Sequence, residues 1–246
     1  MEINLKENER IDDLEFKNLK IIQNKKNFCF GIDSILLSDF AKEIKSNSKV
    51  LDLGTGTGIL GILLCGKTNL SKIIGIEIQK DMCDMAQRSI DLNNLENRFE
   101  ILNYDIRNID FKLQMETFDY VVTNPPYKKI DTGIQNKEDS ILIAKHEVKC
   151  NLEDIINKSF KMLKNNGTIY MVHRPDRLVD IFYLLRKYNL EPKQLRLVYS
   201  KTNEMPKLVL IKATKNSKPF LKVDKPLIIY NEDGNYTDEV LKIYNK

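Results

Sequence analysis

Apolar positions along this chain of 246 residues follow two alternating periods. Short runs rich in Val, Ile and Tyr read as buried strands: "SKVLDLG" (48–54), "SKIIGIEI" (71–78), "RFEILNYD" (98–105), "FDYVVTN" (118–124) and "GTIYMVH" (167–173). Between them lie "GILGILLCGK" (58–67), "QKDMCDMAQRSIDLNNL" (79–95) and "NLEDIINKSFKML" (151–163). In the second, Met82, Met85, Ala86 and Ile90 recur at helical spacing; in the third, Leu152, Ile155, Ile156, Phe160 and Leu163 do. An order of strand, helix, strand, helix predicts a doubly wound parallel sheet with right-handed crossovers. Asn165, Asn166 and Gly167 are expected to stop a helix ahead of the fifth strand. A further helix over 174–189, opened by Pro175, precedes two strand-like runs at 193–200 and 206–214. The predicted fold is therefore α/β: a seven-stranded, mostly parallel sheet ending in an antiparallel C-terminal hairpin. One domain is expected, with residues 1–47 as an N-terminal extension, 48–214 as the core and 215–246 as a C-terminal extension.

Composition narrows the class. Hydrophobic residues make up 42% and charged residues 30%, and no apolar run approaches the roughly 18 residues of a membrane span. The charged start "MEINLKENERIDD" lacks a signal-peptide core, so a cytoplasmic protein is expected. Cys29, Cys65, Cys83 and Cys150 form no C-x-x-C pair, and His146 and His173 are the only histidines. Neither a disulfide framework nor a metal site is suggested; the cysteines read as small core residues. The net charge of +4 conceals an asymmetry, because residues 174–225 carry 13 Lys and Arg against 5 Asp and Glu, a local +8. A basic C-terminal third suits a polyanion, whose counterions each neutralised phosphate releases. It equally suits the solvated surface of a Lys-rich chain.

The candidate chemistry begins in "LDLGTGTGIL". Gly54, Gly56 and Gly58 follow the first core strand and open a helix, where they let the backbone turn sharply and approach a ligand. A dinucleotide fingerprint would need glycine where Ile59 stands. Asp52, just ahead of the loop, would repel a pyrophosphate and attract a cationic amino group. This D-x-G-x-G-x-G order resembles motif I of class I S-adenosylmethionine (SAM)-dependent methyltransferases. Glu77, 19 positions beyond Gly58, is placed to accept both ribose hydroxyl protons of a cofactor. The resemblance gives Asp105 the adenine amino group. "FCFGIDSILLSDFA" resembles the segment ahead of motif I in amino methyltransferases, which implies that Asp33 or Ser34 covers the methionine end; either also suits a plain helix N-cap.

The fourth strand ends abruptly in Asn124, Pro125, Pro126 and Tyr127. Two prolines stop ladder pairing and fix φ, freeing the Pro125 carbonyl as an acceptor beside the side-chain oxygen of Asn124. Two rigid acceptors suit a planar NH₂ group, whose delocalised lone pair needs help to attack a methyl. Tyr127 would stack on the planar target. "NPPY" resembles motif IV of methyltransferases acting on planar amino nitrogens, and against a bare strand-ending turn it gains weight from the glycine loop and two ordered acids upstream.

From "FCFGIDSILL" onward, and through "HRPDRLVDIFYLLRKYNLEPKQLRLVYSK" and "PLIIYNEDGNYTDEVLKIY", the chain resembles the bacterial tRNA1(Val) (adenine-37-N6)-methyltransferase family. The resemblance implies a Rossmann-like class I methyltransferase fold, SAM as cofactor, no metal, and tRNA at its anticodon loop as partner, with no membrane and no obligate protein partner. The main alternative, glutamine N5-methylation of release factors, calls for a helical domain ahead of motif I that residues 1–47 do not resemble. DNA adenine methylation would need a target-recognition domain, and a non-catalytic RNA-binding role is opposed by the intact motifs. Lys128, Lys129, Arg174, Arg177 and Arg196, with Arg186 and Lys187, are the candidate phosphate contacts. The charged segment between Tyr127 and Leu152, with His146 and Glu147, reads as a lid or clamp.

Overall fold

A computed structural model describes residues 4–25, 31–125 and 150–245. The chain opens with a hairpin of β1 (Glu9–Asp13) and β2 (Lys20–Asn24), followed by α1 (Ile32–Phe40). The core then alternates β3 (Lys49–Leu53), α2 (Ile59–Lys67), β4 (Lys72–Glu77), α3 (Lys80–Leu92) and β5 (Phe99–Asn103). A short 3₁₀ helix, Ile106–Phe111, leads to β6 (Phe118–Thr123). Next come α4 (Leu152–Met162), β7 (Leu163–His173), a 3₁₀ turn at Pro175–Arg177 and α5 (Leu178–Lys187). The chain closes with β8 (Leu190–Tyr199), β9 (Pro206–Lys215), the two-residue strands β10 (Lys222–Val223) and β11 (Leu227–Ile228), and α6 (Asp238–Ile243).

The large sheet runs β10-β8-β9-β7-β6-β3-β4-β5, with β11 also on β8. Strands β3 to β7 pair in parallel, whereas β9 is antiparallel to both β7 and β8. The seven predicted strands and their C-terminal hairpin are present at the expected places. Because β4 and β5 build outward from one side of β3 and β6 and β7 from the other, the winding reverses between β3 and β6. Open α/β sheets bind ligands at the carboxyl ends of strands at such a reversal.

Each face of the sheet carries its own apolar layer. One joins α1 and α2 to Leu14 and Ile21 of the N-terminal hairpin region and to Leu227, Ile229, Val240 and Ile243 of the tail. The other joins α4 and α5 through Ile155, Ile156, Ile181 and Leu185. In α2, Phe99 lies flat on Gly61, where an added Cβ would stand 2.3 Å from the ring. No helix of the described residues is long and apolar enough to cross a membrane.

Two local expectations are corrected. The helix ahead of β7 ends at Met162, capped by Leu163, and Asn165, Asn166 and Gly167 lie inside β7. Asn166 takes a left-handed φ of 61°, and the pairing with β6 slips between Phe118 and Tyr120. The three residues thus form a bulge, which a residue tolerant of that conformation allows. The N-cap of α1 is Gly31, with Asp33 in the first turn, so neither Asp33 nor Ser34 serves as the cap. The charged "ERIDD", for which the sequence pattern predicts no element, is also a strand. Its pairing with β2 is held against α3 by Arg88, which reaches both oxygens of Glu9 at 2.7 Å and Asp84 at 2.7 Å.

Candidate active site

The turn from β3 to α2 is built on three left-handed glycines: Gly54 at φ 75°, Gly56 at 58° and Gly58, the N-cap of α2, at 85°. The amides of Gly54 and Thr55 both donate to the Ile76 carbonyl at 3.0 Å, which pins the loop to β4. A Cβ added at Gly54 or Gly56 would meet no heavy atom within 4 Å. The glycines there are required by conformation and not by crowding, and they border open space that a side chain would otherwise enter. That cradle fits a ligand drawn against bare backbone at a helix N-terminus.

Glu77, at the carboxyl end of β4, closes one wall. Its Oε2 accepts the Gly56 amide at 3.1 Å and its Oε1 accepts the Gln79 amide at 2.9 Å. A carboxylate offers about four acceptor sites, so capacity remains for a bidentate hydroxyl pair. The Glu77 carbonyl in turn accepts from the Tyr104 amide at 3.0 Å and from Asn103 Nδ2 at 2.9 Å, which ties β4 to the end of β5.

Asp105 caps the 3₁₀ helix by accepting the Arg107 amide at 2.9 Å, and Arg107 Nη2 reaches its Oδ2 at 2.6 Å. The expected adenine acid therefore already carries a cation. Asp52 lies beneath the loop, 1% exposed, and accepts the Thr55 hydroxyl at 2.6 Å. Its role is to brace the loop from below. Sequence reading missed Thr55, Gln79, Asn103 and Arg107. The Asp-x-Arg spacing at 105–107 was a legible signal for the last.

Beyond the switch point, Thr123 at the end of β6 donates its hydroxyl to the Leu53 carbonyl at 2.8 Å. This bond locks the mouth between β3 and β6, where Leu53 pairs with Thr123. One residue on, Asn124 lies just past the end of β6. Its Nδ2 donates to Ser34 Oγ on α1 at 3.1 Å. The next residue, Pro125, is buried. Pro126, Tyr127, Lys128 and Lys129 lie outside the described residues, as do Phe28, Cys29, Phe30 and the segment 126–149.

The structure thus brings the glycine loop against Glu77 and Ser34 against Asn124, all at or beyond the carboxyl ends of β3, β4 and β6, with Asp52 buried beneath the loop and Asp105 past the end of β5. Each basic candidate among the described residues is engaged by an acid. Arg174 pairs with Asp176 at 3.0 Å, Arg177 with Asp180 at 2.8 Å and Arg186 with Glu191 at 2.8 Å. Lys187 pairs with Glu153 and Arg196 with Glu239, both at 2.6 Å. Arg196 also donates to the Lys225 carbonyl, so it anchors the tail to β8. Burial pushes the thiols of Cys65 and Cys83 up to about 11 and that of Cys150 up to about 12, keeping all three protonated. Among the described residues no cluster of three or more His, Cys, Asp or Glu could hold a metal ion.

Two buried groups give the protein opposed pH responses. Burial, reinforced by the Glu77 charge and offset by the Thr55 hydroxyl, raises Asp52 from 3.8 to about 7. Between those values the folded chain keeps a proton that the unfolded chain has released, so Asp52 makes stability fall as pH rises. His173 is 2% exposed and accepts the Arg174 amide at Nδ1 over 2.8 Å. Burial and the nearby Arg177 lower it from 6.5 to about 4. Across that window the unfolded chain binds a proton that the folded chain refuses, so His173 makes stability rise with pH. The two slopes oppose each other. Calorimetry from pH 4 to 8 is expected to show a shallow profile for the wild type, a rising one for Asp52→Asn and a falling one for His173→Gln.

The class follows from this arrangement. A sheet in which two parallel strands flank each side of a central strand, with a glycine loop after that strand, an acid ending the next and an antiparallel hairpin at one edge, is the Rossmann-like methyltransferase fold. Solved structures share it. A predicted O-methyltransferase from Agrobacterium tumefaciens matches with a TM-score of 0.69 at 21% identity, covering 87% of this chain and 95% of that one. M. jannaschii TYW2, solved in complex with AdoMet, matches with a TM-score of 0.59 at 18% identity, covering 86% and 88%. The family model of the methyltransferase small domain matches residues 14–182, and the chain belongs to that family. Curated relatives include the tRNA1(Val) (adenine(37)-N6)-methyltransferase of Porphyromonas gingivalis, 26% identical over 94% of this chain and 93% of its own length. The enzyme of the same name from Haemophilus influenzae is 27% identical over 93% of this chain and 94% of its own.

Proposed function

We propose that the protein transfers a methyl group from SAM to the exocyclic N6 of an adenosine in tRNA, adenosine 37 beside the anticodon of tRNA1(Val). The observation that carries this reading is the break at Asn124. It stands just past the carboxyl end of β6, whose Thr123 pairs with Leu53 across the switch point, with its amide held on α1. The relatives' names supply the nucleotide, since the match covers 93–94% of this chain and of theirs.

In this reading the glycine loop and Glu77 seat the cofactor, with Glu77 taking the ribose hydroxyls and Asp105 the adenine amino group. Asp33 presents negative charge toward its methionine end, while the buried Asp52 braces the glycine loop from behind. SAM, when bound, supplies an electrophilic methyl on a sulfonium. The acceptors, Asn124 Oδ1 and the Pro125 carbonyl, take the two N6 hydrogens of the target base. That contact draws the nitrogen toward a pyramidal geometry and offsets the positive charge that grows on it. The proton then leaves a cationic product without a strong base. Tyr127 stacks on the base, which must leave the anticodon-loop stack at a cost of a few kcal/mol.

Phosphates of the loop would compete with Asp176 and Asp180 for Arg174 and Arg177, and Lys128 and Lys129, next in sequence after Tyr127, are further candidate contacts. The N-terminal hairpin, the core and the tail, which share one apolar layer, work in this proposal as one domain in the cytoplasm. Purified protein supplied with methyl-labelled SAM tests the reading. Label in N6-methyladenosine of unmodified tRNA supports it. Label only in a Gly-Gly-Gln release-factor peptide transfers the chemistry to glutamine N5.

A further inference from the structure

Ser34 entered as one of two residues that the segment before motif I offers to the cofactor. The structure separates it from Asp33. Ser34 is 4% exposed and lies in the first turn of α1. Its Oγ meets Asn124 Nδ2 at 3.1 Å across 90 positions of sequence. The three residues that follow it, Ile35, Leu36 and Leu37, are 4%, 1% and 0% exposed and belong to the apolar layer that α1 shares with α2. The hydroxyl is therefore mounted on one of the best-packed helices of the molecule.

We propose that Ser34 is a positioning residue for methyl transfer: it accepts the Asn124 Nδ2 hydrogen and so fixes which end of the amide faces the incoming amine. The proposal rests on the methyltransferase reading above. A primary amide has a donor end and an acceptor end of nearly equal shape, and rotation by half a turn about its last bond exchanges them. Only the acceptor end helps an NH₂ nucleophile; the exchanged amide would set two donors against two donors. Holding Nδ2 on α1 turns Oδ1 to the opposite side of the amide. The Thr123 hydroxyl fixes the backbone just before this point through Leu53, and Pro125 restrains it just after. Backbone restraint alone leaves the last side-chain torsion, which is broad for asparagine, unset. Ser34 supplies that missing restraint, and the inserted helix explains why a segment 90 residues upstream belongs to the catalytic unit.

Two measurements test this on the full-length protein. The first is single-turnover methyl transfer with the SAM dissociation constant measured alongside, for wild type, Ser34→Ala and Ser34→Thr. Ser34→Ala is expected to slow transfer by about tenfold to a hundredfold with SAM affinity within about twofold, and Ser34→Thr to restore most of the rate. The second uses no acceptor: the side-chain NH₂ signals of Asn124 in a ¹⁵N-labelled sample, identified by their loss in Asn124→Asp. They are expected to move in Ser34→Ala and to stay near their wild-type positions in Ser34→Thr. An unchanged transfer rate in Ser34→Ala would overturn the proposal. So would unmoved Asn124 signals, or a rate loss matched by an equal loss of SAM affinity, which would make Ser34 a cofactor contact. If the wild type methylates a glutamine peptide and not tRNA, the adenine reading fails, and the same comparison on the peptide still decides the role of Ser34.

Discussion

Asn124→Ala is expected to slow methyl transfer by about 10²–10³-fold while the dissociation constant for SAM changes by less than about threefold. The size follows from the chemistry of the nucleophile. An exocyclic amine on a purine keeps its lone pair in the ring, and an acceptor aimed at its hydrogens counts for most in the transition state. Removing one preorganised hydrogen-bonding group from a comparable site costs on the order of 2.7–4 kcal/mol. Asn124 is well placed for a selective effect of this kind. Its backbone is set by the Leu53–Thr123 pairing and its amide by Ser34, so truncation leaves the glycine loop and Glu77 undisturbed. Rapid-quench kinetics at saturating SAM, with calorimetric titration of the cofactor, separates the two quantities. A large loss of SAM binding would move Asn124 from the acceptor side of the site to the cofactor side.

Glu77→Ala should produce the opposite division, with SAM affinity falling at least about a hundredfold. Hydrogen bonds to a charged acceptor contribute roughly 1.5–3 kcal/mol each, and a ribose offers two hydroxyls. The same carboxylate orders its own surroundings, through the Gly56 and Gln79 amides at 3.1 and 2.9 Å. Alanine therefore removes the ligand contact and two loop restraints together. Glu77→Gln keeps one acceptor oxygen and should lose only about tenfold, since a neutral acceptor is weaker and its NH₂ opposes a donor. Isothermal titration with SAM measures both variants. An affinity for Glu77→Ala within threefold of wild type would remove Glu77 from the cofactor wall.

The sheet was legible because its signals are local. Each core strand is a compact apolar run bounded by turn residues, and α3 and α4 show their period directly. The β1 strand was not legible, since "ERIDD" carries a single apolar residue and owes its form to β2 and to Arg88 of α3. Tertiary pairing outweighs propensity there. The bulge at Asn166 was misread as a helix stop for a related reason: a left-handed asparagine serves both turns, and only the partner strand decides between them. At the site, the glycines, Glu77 and the Asn-Pro break announced themselves by spacing. The Ser34–Asn124 bond, the Asp105–Arg107 pair and the bracing of Asp52 by Thr55 depend on side-chain geometry, and only the second lies close enough in sequence to be guessed. The basic stripe shows the reverse failure. Counting charge over 174–225 was correct, but Asp176, Asp180, Glu191, Glu153 and Glu239 each stand against one of its cations.

The most direct test of the account is nucleoside mass spectrometry of tRNA1(Val) isolated from cells with and without this gene, with the modified position located by nuclease mapping. The account predicts N6-methyladenosine at position 37 in the parent, its loss on deletion, and its return with the wild-type gene but not with Asn124→Ala. N6-methyladenosine at that position in equal amounts with and without the gene would contradict it.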